Sequence, residues 1–244
     1  MNSECRIPGP ELDGLSRFER YGFQIFQSLI ESDKCDLLST ELTPLFEQQQ
    51  KSAKSRIGGV RNLLRSNVRV GEFARSPGLT PLLQEFANSS VFPVRAILFD
   101  KTPEANWLVP WHQDLTIAIE ERIETPGFTD WSVKDGVLHV HPPHEVLESM
   151  ITMRLHLDDC GADNGALKVI PGSHLHGKLN VIQITDWTCK QMAVTCVAPK
   201  GGGLLMRPLL LHSSSSAQNP LHRRVLHIEY ATQKLPNGLK WSGS

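Results

Sequence analysis

The chain has 244 residues, with 25 Lys plus Arg against 26 Asp plus Glu and a formal net charge of −1. That length suits a single domain over residues 1–244 with one well-buried core. The absence of charge excess favours neither nucleic acid nor an anionic membrane and leaves a small-molecule substrate as the expected partner.

No apolar run approaches the roughly 20 residues of a membrane span. Cys5, Cys35, Cys160, Cys189 and Cys196 are odd in number, scattered, and without a Cys-x-x-Cys pair, so they read as reduced thiols of a cytoplasmic protein. The opening MNSECRIPGPELDG is polar and proline-bearing, unlike a secretion signal, and the closing Lys240 to Ser244 is not a Ser-Lys-Leu address.

In chain order, Leu12 to Arg20 predicts a short helix with Leu15 and Phe18 on one side, and Tyr21 to Phe26 a strand. A longer helix follows, with Ser32 as N-cap and an apolar stripe of Leu38, Leu42, Leu45 and Phe46. Arg56 to Asn62, with its Gly-Gly pair, reads as a turn or as a loop over a site. Ser66 to Arg75 and Pro81 to Ala87 predict helices. From Val91 the period changes to two, in short β-rich runs divided by Gly, Pro and Asn turns. Val94, Ala96 and Leu98 share one face of a strand. Along Met150 to Asp158, Met153, Leu155 and Leu157 oppose Thr152, Arg154 and His156. Cys160 to Gly165 is a turn, Ala166 to Ile170 a strand, and Pro171 to His174 a break. Met192 to Ala198 and Leu204 to Leu211 predict a hairpin around Pro199 to Gly203, and Arg223 to Thr232 the last strand. Residues 1–90 are thus mainly helical and 91–244 mainly β. An antiparallel double-stranded β-helix, cupin-like or jelly roll, with helices packed on the outer face of one sheet gives that order.

The chemistry-bearing constellation is His112-Gln113-Asp114 followed far downstream by His212 and Arg223. Two histidines and a carboxylate can occupy one face of an octahedral iron(II) and leave the other positions open. Side chains two residues apart leave the same face of a strand and reach one ion. Ten His and eleven Asp give about half a His-x-Asp by chance, and the chain has a second, His156-Leu157-Asp158, and a looser His227-Ile228-Glu229. His112 ends an entry from loop to strand, where functional groups are commonly presented. His156 shares its face with Arg154 and precedes Asp158 and Asp159, as in a salt network at a strand end. His139-x-His141 and His174-x-His176 read as solvated loop histidines.

Several motifs stand in order: Pro110-Trp111-His112-Gln113-Asp114, Leu157-Asp158-Asp159 through Asn164-Gly165-Ala166-Leu167, Ile170-Pro171-Gly172-Ser173-His174, and His212 with Arg223. Together, from about Val94 onward, they resemble the phytanoyl-CoA dioxygenase family of iron(II)- and 2-oxoglutarate-dependent oxygenases. The resemblance implies His112, Asp114 and His212 as iron ligands and Arg223 as the partner of the distal carboxylate of 2-oxoglutarate. Ser214 and Trp131 lie where such enzymes often place further co-substrate contacts. It also implies iron(II), 2-oxoglutarate and dioxygen as the reaction's requirements, with ascorbate as a stimulant, and release of succinate and carbon dioxide. Asp114, a carboxylate where a halogenase has a small residue, favours hydroxylation of a small organic substrate. Gly201-Gly202-Gly203 stands where the family often has Gly-Asp. Trp131 to Glu148 has no family counterpart and is the expected seat of substrate specificity. The alternatives are a metal- and 2-oxo-acid-binding sensor on the same scaffold, or a zinc hydrolase.

Strand period also divides the last strand. Arg223, Val225, His227 and Glu229 share one face, and Arg224, Leu226, Ile228 and Tyr230 the other. If helices cover the apolar second face, Arg223 lines the interior.

Overall fold

The computed structural model describes residues 13–52, 59–218 and 222–243. Helix α1 (Gly14–Tyr21) is capped by Asp13, whose Oδ1 accepts from the Ser16 amide at 2.8 Å, and it stops at Gly22, where φ is 81°. Strand β1 (Phe23–Phe26) and helix α2 (Ser32–Ser52) follow. Arg56 to Gly58 of the Gly-Gly segment lie outside the described residues, and Gly59–Val60 form strand β2. The helix expected over Ser66 to Arg75 forms as α4 (Val68–Ala74), and a short helix with no counterpart in the sequence reading, α3 (Leu63–Ser66), precedes it. Asn67 divides them: its backbone is extended, and its side chain accepts from the Val70 amide at 3.0 Å. Helix α5 (Thr80–Ala87) completes the helical third.

The β part comprises β3 (Phe92–Lys101), β4 (Val109–His112), β5 (Ile117–Ile119), β6 (Thr129–Lys134), β7 (Val137–His141), β8 (Ile151–His156), β9 (Leu167–Val169), β10 (Val194–Cys196), β11 (Gly203–Met206), β12 (His212–Ser214) and β13 (Arg223–Ala231). The strands form a six-stranded sheet in the order β1-β11-β8-β13-β3-β2 and a four-stranded sheet in the order β10-β9-β12-β4, antiparallel throughout. These are the two sheets of a double-stranded β-helix. The third, β5-β7-β6, has three strands and packs with Leu239 and Trp241 near the end of the chain.

The helices cover the outer face of the six-stranded sheet. Leu226, Ile228 and Tyr230 of β13 and Met153 and Leu155 of β8 are buried with Leu42, Leu63 and Leu83 of the helices. Each such side chain contributes about 1.5–3 kcal/mol by leaving water. Arg224 is on this face too and bonds Asp158 and the Thr43 hydroxyl of α2.

The hairpin expected from Met192 to Leu211 does not form. Strand β10 pairs with β9 in one sheet, and β11 pairs with β1 and β8 in the other. Gly201-Gly202-Gly203 carries the chain between sheets in close contact with its neighbours. Gly201 has φ of 81°, and a Cβ on Gly202 would stand 2.7 Å from the Phe26 carbonyl oxygen. Two further helices, α6 (His144–Glu148) and α7 (Val181–Lys190), had no counterpart among the sequence expectations. Residues 131–148 hold the β6–β7 hairpin and α6; the hairpin turns at Asp135 and Gly136, both at positive φ. Among the described residues, no helix is long and apolar enough to cross a membrane.

Candidate metal centre

Ladder register brings together residues a hundred positions apart. Strand β12 pairs with β4 so that His212 stands opposite His112, with ring centroids 4.2 Å apart. The Nδ1 of each ring faces a carbonyl oxygen, that of Pro110 at 2.9 Å for His112 and that of Leu210 at 2.7 Å for His212. A carbonyl only accepts, so Nδ1 carries the proton and each Nε2 presents a lone pair. Asp114, just beyond β4, is held by its amide on the Pro208 carbonyl at 3.0 Å. Its carboxylate oxygens lie 4.0 Å from His112 Nε2 and 3.7 Å from His212 Nε2. The three ligand atoms are all within 4.8 Å of one another, the grouping of this kind found among the described residues.

The intervening Gln113 points away and anchors the segment. Its Nε2 donates to the carbonyls of Gly177 and Leu209, and its Oε1 accepts from the Leu179 amide at 2.8 Å. Burial acts to raise the Asp114 carboxyl, but His212, His227, His112 and Arg95 outweigh it and hold it down at about 2. Burial in turn pushes His212 down to about 4, Asp114 opposing. Near neutral pH the site therefore offers a carboxylate and a neutral imidazole. Asp114 Oδ2 is buried with no hydrogen-bond partner among the described residues. An orphaned carboxylate oxygen facing imidazole lone pairs fits a divalent cation held by all three residues.

The centre opens into a cavity of about 360 Å³ between the two main sheets. Arg223 is 2% exposed and lines it, on the face of β13 away from the helices. Its Nη1 donates to the Gly165 carbonyl at 2.8 Å, while Nε is buried and without a hydrogen-bond partner among the described residues. The Ser214 hydroxyl donates to the same carbonyl at 2.8 Å and accepts from Lys101 Nζ at 2.8 Å. Lys101, fully buried opposite Arg223 in the β3–β13 ladder, is pushed down to about 7 by burial and then by Arg223. Arg223, Lys101 and Ser214 thus make a cationic pocket wall, with Arg223 and Ser214 fixed by the Gly165 carbonyl and Lys101 by Ser214 and the Ser215 carbonyl. Trp131 is placed elsewhere: it is half-buried on β6, under the Arg122 guanidinium at 5.0 Å, and is not among the residues lining the cavity.

A buried polar chain crosses the inner face of the six-stranded sheet. Arg154 Nη1 donates to His227 Nδ1 at 2.9 Å, so His227 Nε2 carries the proton it shares with Glu229 Oε1 at 3.3 Å. Arg95 Nη2 closes the chain, 3.1 Å from that oxygen. Sequence reasoning saw His227 and Glu229 only as a loose ligand pair and missed Arg95, Lys101 and Gly165 as site residues. The inward alternation of β3, residues 95, 97, 99 and 101, was the available signal for two of them. His156 is buried on β8, and His139 and His174 bond the carbonyls of Val137 and Glu19; none of these joins the metal-type cluster.

The phytanoyl-CoA dioxygenase (PhyH) family model matches residues 18–225. The L-proline trans-4-hydroxylase of Streptomyces griseoviridis is 24% identical in an alignment of 183 positions that covers 64% of this chain and 60% of that protein's length. Among solved structures, AviO1 from Streptomyces viridochromogenes Tue57 superposes with a TM-score of 0.67 at 21% identity, covering 91% of this chain and 95% of that one. EctD from S. alaskensis with 2-oxoglutarate and 5-hydroxyectoine gives a TM-score of 0.70 at 16% identity, covering 94% and 79%. The carbocyclase SnoK from nogalamycin biosynthesis, a non-heme alpha ketoglutarate dependent enzyme, gives 0.70 at 12% identity, covering 92% and 85%. With the family model spanning most of its length and this fold beneath it, the chain belongs to the phytanoyl-CoA dioxygenase family.

Proposed function

We propose that the chain, acting as one domain, is an iron(II)- and 2-oxoglutarate-dependent oxygenase that hydroxylates a small organic substrate. The observation that carries this reading is that His112, Asp114 and His212 share one cavity with the buried guanidinium of Arg223. A zinc hydrolase has no need of such a guanidinium, whereas a five-carbon 2-oxo diacid chelated at a metal has a far carboxylate to be gripped.

In this reading His112, Asp114 and His212 would hold the metal. The chemistry supplied when iron(II) and the 2-oxo acid are bound is oxidative decarboxylation, with one oxygen atom of dioxygen passing to succinate and the other to substrate. Arg223 takes the distal carboxylate through Nε and its free Nη positions, two parallel hydrogen bonds that fix direction as well as charge. Lys101, held by the Ser214 hydroxyl, adds a donor at the same end. Gln113 keeps the His-x-Asp segment rigid, and the Pro110 and Leu210 carbonyls hold both imidazoles in the tautomer that binds metal. Arg154 and His227, tied to each other and through His227 to Glu229, floor the cavity.

The test is spectroscopic. Anaerobic addition of iron(II) and 2-oxoglutarate should produce the weak visible charge-transfer band of the chelate, and admission of oxygen with ascorbate should yield succinate. A protein that binds iron without that band is not an oxygenase of this kind. A band without succinate across acyl-CoAs, amino acids and secondary metabolites would favour the sensor.

A further inference from the structure

The cavity is lined by six cationic side chains, Arg61, Arg95, Lys101, Lys134, Arg154 and Arg223, against one carboxylate, Asp114. The place of the metal and the 2-oxo acid is taken here from the oxygenase reading above. A divalent metal and a dianionic co-substrate cancel in charge, so binding them leaves the cationic excess as it was.

The excess is divided between two ends. Strand β13 sets Arg223 opposite Lys101 and Glu229 opposite Arg95 on β3. Six residues of strand at roughly 3.4 Å each separate those rows by about 20 Å. Arg154 and His227 lie between, opposite each other across β8 and β13. A five-carbon diacid gripped at Arg223 is accommodated at the first end. At the second, Arg95 is joined by Lys134, from β6 of the three-stranded sheet, and by Arg61, just after β2. Glu229 pairs with Arg95, and Asp135 with Arg61 Nε at 2.7 Å. Among the described residues, the Lys134 ammonium meets only a neutral group at hydrogen-bond distance, the Thr116 hydroxyl at 3.2 Å. Arg95 Nε is buried without a hydrogen-bond partner among the described residues. Burial, then Arg95 and Arg61, push Lys134 below the ordinary lysine range, and Asp114 and Glu229 do not offset them. Arg61 and Arg95 are partly buried and Lys134 is exposed beside them, and like charges gathered so closely are costly until an anion joins them.

We propose that Arg95, Lys134 and Arg61 form an anion-binding subsite at the end of the cavity away from Arg223, and that the substrate is a small organic acid bearing a carboxylate or phosphate there. Phe99, Trp107 and Leu115 also line the cavity and suit an apolar body behind the charged group. Selection of the substrate then falls to Arg95 and Arg61 of the six-stranded sheet and its edge together with Lys134 of the three-stranded sheet.

Calorimetric titration of the anaerobic iron(II) protein, saturated with 2-oxoglutarate, with 3-phenylpropionate, phenyl phosphate and the neutral 3-phenylpropanol tests this. At least one acid should bind ten times more tightly than the alcohol or better, and the ratio of the two acids tells carboxylate from phosphate. The preference should fall below threefold in the double variant Arg61→Met with Lys134→Met, and in Thr116→Glu, whose carboxylate neutralises Lys134 in place. Circular dichroism verifies that each variant is folded, and the wild-type comparison stands whichever variant fails to fold. Equal binding of acid and alcohol overturns the proposal, as does a preference that survives in folded variants. So does an acid that binds only when 2-oxoglutarate is absent, because it then occupies the Arg223 end. The visible chelate band is read separately. Acid preference without the band keeps the subsite and sinks the oxygenase reading, and the band without acid preference does the reverse.

Discussion

Arg223 and Arg224 are neighbours in sequence and face opposite sides of one sheet. Arg223 lines the cavity and bonds the Gly165 carbonyl, whereas Arg224 reaches out to Asp158, with Nε 2.8 Å from Oδ2, and to Thr43 of α2. Replacing each by lysine separates the two roles. Arg223→Lys keeps the charge and loses the planar fork, so 2-oxoglutarate affinity should fall by about 1.5–3 kcal/mol, the range for a charged hydrogen bond, while iron binding survives. Arg224→Lys should leave that affinity nearly unchanged and lower the urea midpoint instead, since Asp158 loses its two-pronged partner. Titration of 2-oxoglutarate into both iron-loaded variants decides, and the reverse ranking would defeat the assignment.

His112→Ala should abolish tight iron(II) binding, because its Nε2 is one of three ligand atoms within 4.8 Å. His156→Ala should bind iron like the wild type, being buried on β8 outside that cluster, and its effect should be on stability. Equilibrium dialysis against iron(II) under nitrogen measures both. Loss of metal from the His156 variant alone would refute the ligand set.

Gly165 has φ of 65°, and an added Cβ would stand 2.6 Å from the Ser215 carbonyl oxygen and 3.1 Å from Lys101 Nζ. Its own carbonyl accepts from Arg223 and Ser214. Gly165→Ala should therefore displace the whole co-substrate wall. The expected outcome is a 2-oxoglutarate Kd raised about tenfold or more with iron affinity retained, since a shift of this wall costs on the order of 1.4 kcal/mol for each factor of ten. An unchanged Kd would show that the wall does not carry the co-substrate.

Lys101 supplies a pH signature. Burial, then Arg223, with Arg154 adding and Cys160 opposing, lowers it from 10.5 to about 7. Between those values the unfolded chain binds more protons at this residue than the folded one, so stability from this group rises with pH across the window. Below about 7 the cost of the buried ammonium is present in full. Urea unfolding of the metal-free protein at pH 6.5, 8 and 9.5 should show that rise, diminished in Lys101→Met. A carboxylate bound beside it favours the ammonium, so binding of 2-oxoglutarate at pH 8 should take up protons. Calorimetry in buffers of different ionisation enthalpy reads the uptake, and proton release would contradict the placement of Lys101 at the distal carboxylate.

The sequence by itself determined those features that depend on the period of one element. A spacing of two put His112 and Asp114 on one side of an extended segment, and alternation along β13 separated Arg223 and His227 from Leu226 and Ile228. The change of period near Val91 marked where helices end and the β-helix begins. Only the tertiary structure decided what stands across from each face. It put β10 and β11 in different sheets where the glycine run had suggested a hairpin, set Lys101 beside Arg223, and brought Lys134 from a separate sheet toward Arg95. It likewise placed Trp131 against Arg122 and off the cavity wall. The reason is that local period reports the direction in which a side chain leaves its own backbone, whereas pairing between distant strands is set by the burial of whole faces and the closure of every backbone hydrogen bond at once.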